Sequence, residues 1–159
     1  MNVDWVGWAI FGFGATVLLT SAMAGAQLAG WTRMDIPYLL GTIVVTDPDR
    51  ARVVGFLMHL VNGQIFGLFY AAAFALLGEA TWWWGALFGL FHGLVAIGVL
   101  VPLVPGFNPR MASDRAGPGF GPALEPPGPL ALNYGRATPA VALVAHVAYG
   151  TALGAFLGP

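Results

Sequence analysis

The sequence predicts an all-α, four-helix transmembrane bundle, with the two halves of the chain as a candidate parallel repeat of helical hairpins. Three observations predict it. The 159 residues are 58% hydrophobic and only 8% charged, whereas a soluble domain is about 25% charged. The few charges cluster, leaving long uncharged runs. Each run is long enough for the roughly 20 apolar residues that cross a hydrocarbon core as a helix.

The first uncharged run, 28 residues between Asp4 and Arg33, carries a span near residues 5–30. No basic residue precedes its apolar stretch, so it reads as a span and not as a signal peptide. The second run, between Arg52 and Glu79, carries a span near 49–77. Thr46-Asp47-Pro48-Asp49 opens it with a capping side chain, a proline and acids at the positive end of the helix dipole. The third, between Glu79 and Arg110, carries a span near 83–104. The fourth follows Arg136 and carries a span near 138–157. The apolar piece 36–45 is too short to cross and is expected as an interfacial or loop segment. Trp5, Trp8, Trp82, Trp83 and Trp84 fall where an aromatic belt belongs. Residues 105–138, rich in Pro and Gly, exclude a long helix or a central strand and are expected as an ordered loop.

All six basic residues are arginine: Arg33, Arg50, Arg52, Arg110, Arg115 and Arg136. With four spans they all lie in the first and third connections, none on the side of the termini. By the positive-inside rule those connections face the cytoplasm and both termini face away. Together with Asp35, Asp47, Asp49, Asp114 and Glu125 they are expected to form a salt-bridged cap joining the two connections. This face has three functional readings: a site for an anionic lipid head, an anchor for haem propionates, or a dock for another subunit. Arg50, Arg52 and Arg136, at the entrances to the second and fourth spans, are best placed for the first two.

Composition also removes chemistries. There is no cysteine, hence no disulfide, thiolate metal site, iron–sulfur cluster or c-type haem. There is no lysine, hence no Schiff base. A net charge of −1 supplies no basic field for nucleic acid. No phosphate loop, nucleophile elbow or H-E-x-x-H is present.

The second and fourth spans share the pattern H-x3-G-x3-G-x-F: His59, Gly63, Gly67, Phe69 and His146, Gly150, Gly154, Phe156. Spacing of four sets each histidine and its glycines on one helix face. Such glycines either pack a tight bundle or leave room for a flat cofactor. The chain's three histidines, His59, His92 and His146, are all intramembrane, and an ionisable side chain there marks a candidate site. His59 and His146 share a depth and are candidate axial ligands of a haem or chlorin. The three together are candidate ligands of a transition metal, Zn²⁺ or copper, with Met23 nearby. The plain alternative is a hydrogen-bond partner for a backbone carbonyl or for Thr20, Ser21, Asn62, Tyr70, Tyr149 or Thr151.

Thr32-Arg33-Met34-Asp35-Ile36-Pro37-Tyr38-Leu39-Leu40-Gly41-Thr42, His59-Leu60-Val61-Asn62-Gly63, Asn108-Pro109-Arg110-Met111-Ala112-Ser113 and Leu132-Asn133-Tyr134-Gly135 together resemble a family of small uncharacterised bacterial four-helix integral membrane proteins. The resemblance implies this fold and a bacterial inner membrane, and carries no activity with it. The expected role is a non-enzymatic accessory or binding subunit, in contact with lipid and with other membrane subunits or further copies of itself. Haem, chlorin or metal binding is the alternative. A transporter or proton path ranks last, because no carboxylate lies inside a span.

Overall fold

The computed structural model describes residues 4–112 and 124–157, and all its regular elements are helical. Ser113, Asp114 and Arg115 of the expected cap, with the middle of the 105–138 loop, lie outside the described residues. Helix α1 spans Trp5–Leu28, α2 Ile36–Gly41, α3 Pro48–Leu77, α4 Trp82–Val95, α5 Val101–Leu103 and α6 Thr138–Phe156. Four helical stretches are long and apolar enough to cross a membrane: Trp5–Leu28, Pro48–Leu77, Trp82–Gly106 and Thr138–Phe156. Each lies within about two residues of its expected bounds, and the chain is a multi-pass membrane protein.

The helix starts are written locally. The Asp4 carboxylate accepts from Gly7 N at 2.8 Å, and Asp47 accepts from Arg50 N at 2.9 Å. Asp35 accepts from Tyr38 N at 2.9 Å, which starts α2 within the segment expected to be short. Such caps satisfy backbone donors that have no intrahelical partner. Gly78, with φ +76°, ends α3 in a left-handed turn open to glycine at no steric cost.

The third span is not a uniform helix. A π-helical stretch, Ala96–Leu100, separates α4 from α5, and Val104–Gly106 closes the span as a 3-10 turn. Val101 N–H reaches back to Ala96 O. Pro102 accounts for this. It has no N–H for the Gly98 carbonyl and its ring crowds that group, so the preceding turn widens.

Apolar side chains point outward as well as inward. Val53, Leu57, Val61, Ile65 and Phe69 recur every four residues along α3 and are all exposed, a lipid-facing stripe. Inside, α6 is the central helix, packed against α4, α1 and, more lightly, α3. The α4–α6 seam closes backbone to backbone. A Cβ on Gly85 would fall on the Gly150 carbonyl, one on Gly150 on the Gly85 carbonyl, and one on Gly154 on the Thr81 carbonyl. In the first hairpin, Gly63 of α3 faces Thr16 of α1 in the same way. Each hairpin therefore lays the glycine face of its second helix on its first, in keeping with the shared pattern. By contrast α3 and α4 meet through aromatic side chains: Tyr70 on Phe88 with ring centroids 6.0 Å apart, Phe74 on Phe88 at 5.7 Å and Phe66 on His92 at 4.1 Å.

The two arginine-bearing connections close one end together. Thr32 and Thr138 hydroxyls share a 2.7 Å hydrogen bond, and Arg33 N donates to Tyr134 O at 2.7 Å. The Arg33 guanidinium bonds the Asn133 carbonyl and pairs with Glu125 at 3.0 Å. Arg110 donates to the Thr42 carbonyl. The expected cap is present among the described residues, held by hydrogen bonds to carbonyls and hydroxyls more than by ion pairs.

Tyr134 reports on this cap. It is buried, and its hydroxyl donates to the Glu125 carbonyl at 2.7 Å. Burial, reinforced by the Glu125 carboxylate and opposed by Arg33, pushes its pKa up to about 12 from the ordinary 10.0. A raised phenol pKa means that the folded cap holds a proton the unfolded chain has lost. The stabilisation is therefore complete below pH 10 and declines as pH rises towards 12. Unfolding midpoints measured from pH 8 to 12 should fall more steeply for the wild type than for Tyr134→Phe; parallel curves would refute the assignment.

Candidate functional site

All three histidines line one cavity of about 370 Å³ inside the bundle, between α1, α3, the third span and α6. Its end towards the cap is covered by Ile36, Leu39 and Leu40 of α2. α2 is held there because it is pressed against α3: a Cβ on Gly55 would strike the Pro37 carbonyl, and one on Gly41 the Ala51 carbonyl. The π-helical turn supplies Ala96, Ile97 and Leu100 to the wall. Widened turns of this kind recur at functional sites because they displace side chains from the regular helical stripe.

The three imidazoles have different surroundings. His146 is buried, and its Nδ1–H donates to the Ala142 carbonyl at 2.7 Å. A carbonyl accepts only, so Nδ1 carries the proton and, in the neutral ring, Nε2 keeps its lone pair. His92 crosses it edge to face, ring centroids 4.8 Å apart, and stacks on Phe66 at 4.1 Å. The Tyr70 hydroxyl lies 3.3 Å from His92 Nδ1, one hydrogen bond in either sense. His59 comes from α3, and its Nε2 is buried with no hydrogen-bond partner. A buried unpaired polar group costs about 1–3 kcal/mol, so this atom is the least satisfied part of the site.

The remaining lining is polar in few places. Tyr149 OH donates to the Gly63 carbonyl at 2.6 Å, and Thr16 Oγ1 to the Gly12 carbonyl at 2.7 Å. Both hydroxyl protons are occupied by backbone and neither is offered to a base. Asn62, one turn above His59 on α3, lines the cavity and is exposed. No carboxylate or guanidinium is in the described lining.

This geometry separates several of the expected site residues. The close histidine pair is His92 with His146, because their helices meet along the glycine seam, where Gly93 faces the His146 side chain. Among the described residues no three His, Asp or Glu side chains are arranged to hold a metal ion, so His59, His92 and His146 share a cavity without forming a ligand set. Met23 lines a separate pocket beside Met34 and Arg52. Gly150 and Gly154 are closed by the backbone of α4, Gly63 by Thr16, and Gly67 touches the Tyr149 hydroxyl and Trp8. Glycine faces already filled by neighbouring helices leave no slot for a porphyrin or chlorin ring, and the residues do not fit that group. Arg50, Arg52 and Arg136 do not line the cavity. Arg52 instead pairs with Asp35 at 3.1 Å and Asp49 at 3.5 Å and lies over the Tyr38 ring, 5.0 Å from its centroid. Arg50 and Arg136 are exposed.

One site residue, Phe66, and one helix-bridging residue outside the cavity, Gln64, escaped the sequence reading. Phe66 lies seven residues beyond His59, and that spacing alone places it on the same helix face. Gln64 bridges α3 to α1 by donating to the Ala9 carbonyl at 2.9 Å, while its Oε1 is buried without a partner. An amide in an otherwise apolar run was its available signal. The chain matches no protein-family model, no curated protein and no solved structure.

Proposed function

We propose that this protein is a non-enzymatic binding protein of the bacterial inner membrane, with its arginine cap in the cytoplasm and both termini outside. It acts as a subunit that holds a small molecule in its intramembrane cavity. One observation carries the reading: all three histidines and the exposed amide of Asn62 line one cavity at membrane depth. A mostly apolar cavity with a few convergent polar groups is the usual form of a ligand site. An exposed amide kept in it at membrane depth has a physical rationale when a ligand completes it. Binding is favoured over catalysis because the lining pairs no nucleophile with a base and holds no carboxylate. The tight glycine seam and the ordered cap make a rigid holder.

The test replaces His59 by leucine. Removing an unpartnered buried nitrogen is expected to leave the thermal midpoint in detergent unchanged or higher. The small molecule extracted by organic solvent from the purified wild type, counted by mass spectrometry, is expected to fall at least tenfold. A His59→Leu variant that retains it, or a wild type that yields only bulk membrane lipid, refutes the reading.

A further inference from the structure

The cavity does not end at the histidines. On the far side of Phe66 and His92 a second pocket, of about 400 Å³, runs between α3 and α4 and is lined by Phe69, Ala73, Phe91 and Val95 among others. Phe66 and His92 line both spaces, so their stacked rings form the sill between a cavity with a few polar groups and a wholly apolar groove. The groove exists because α3 and α4 are held apart by aromatic side chains, whereas α4 and α6 close backbone to backbone.

Depth restricts what enters. Asn62 is 14 residues into the 30-residue α3, about 21 Å from its start at 1.5 Å per residue. That is the middle of the span. An exposed amide there is costly unless something hydrogen-bonds to it. A phospholipid head stays at the interface, and a charged head at mid-bilayer requires a counter-ion. The described lining supplies none.

We infer that the site binds a single-chain neutral lipid: a small hydroxyl- or carbonyl-bearing head bonds Asn62 beside the His59 ring, and the tail passes over the Phe66–His92 sill into the α3–α4 groove. This rests on the cavity being a binding site. A hydroxyl suits the head because it both donates and accepts, matching an amide. The tail gains little by leaving one apolar surroundings for another, so affinity comes from the head and selectivity from the groove.

The experiment uses the full chain in detergent with three probes: 1-monoolein, its short-chain analogue monobutyrin, and oleate. Binding is read by native mass spectrometry and by thermal shift. The wild type is expected to bind monoolein at least tenfold more tightly than oleate. Ala73→Trp fills the groove and is expected to weaken monoolein at least tenfold while leaving monobutyrin unchanged; Val95→Trp, from the opposite wall, repeats the test should the first variant misfold. His59→Leu is expected to weaken both neutral probes. If the groove variants leave monoolein binding intact while His59→Leu removes it, the tail path is wrong and the cavity reading stands. If oleate binds as well as monoolein, the neutral-head assignment is wrong. If no probe binds the wild type and His59→Leu changes nothing, both the inference and the cavity reading fall.

Discussion

Gly150→Ala is expected to destabilise the bundle by about 3 kcal/mol, at the upper end of the usual cost of overpacking. The added methyl would overlap the Gly85 carbonyl and approach Gly89 Cα and N, each 2.9 Å from the new carbon. These obstacles are backbone atoms of a packed helix and cannot rotate away as a flexible side chain does. The only relief is to move α4 off α6. That opens the backbone-to-backbone seam and shifts His92 away from His146. Gly67→Ala is the matched control. Its new carbon would meet the Tyr149 hydroxyl at 3.4 Å and Trp8 at 3.5 Å, ordinary contacts costing less than about 0.5 kcal/mol. Unfolding midpoints of the two variants in one detergent decide the matter. Equal midpoints would mean that the seam is not what holds α4 in place.

Asn108→Ala is expected to cost about 3–4 kcal/mol, from three hydrogen bonds lost together in a buried place. Asn108 is 1% exposed. Its amide donates to the Leu39 carbonyl at 3.2 Å and lies 3.0 Å from Thr42 Oγ1, while its Oδ1 accepts from Arg110 N at 3.0 Å. It thus stitches the C-terminal end of α2 to the loop after the third span. Asn108→Asp is no rescue, because a carboxylate offers no donor to the Leu39 carbonyl. Hydrogen exchange should rise at least tenfold both in α2 and in residues 105–112 of Asn108→Ala. A rise confined to 105–112 would show that α2 is held by α3 alone. Because Leu39 and Leu40 cover the cavity, loosening α2 also opens the cavity towards the cap.

Much of this molecule is legible in one dimension. The spans follow from charge gaps, since the bilayer penalises every ion inside it and an apolar run of sufficient length has one low-energy conformation there. The cap at Asp47 follows from short-range geometry, in which a side chain reaches a backbone N–H three residues on. The gathering of arginines at one end follows from span parity. Even the glycine seam is foreshadowed, because small residues four apart mark a close-packing face. The cap residues Asn108, Arg110 and Asn133 stand out in the sequence, but what they bond does not, because their partners lie tens of residues away.

The sequence by itself determined that four helices cross the membrane, that their polar ends gather into one cap, and that every histidine lies at membrane depth. These follow from the cost of burying charge and from bonds made within a few residues. Only the tertiary structure decided that His92 pairs with His146, that α2 covers one end of the cavity, and that Pro102 widens the third span into a π-helical wall. Lipid treats every apolar helix face nearly alike. Which faces meet is settled by steric fit between distant residues, and a glycine that receives a neighbouring helix reads the same along the chain as one that leaves room for a ligand.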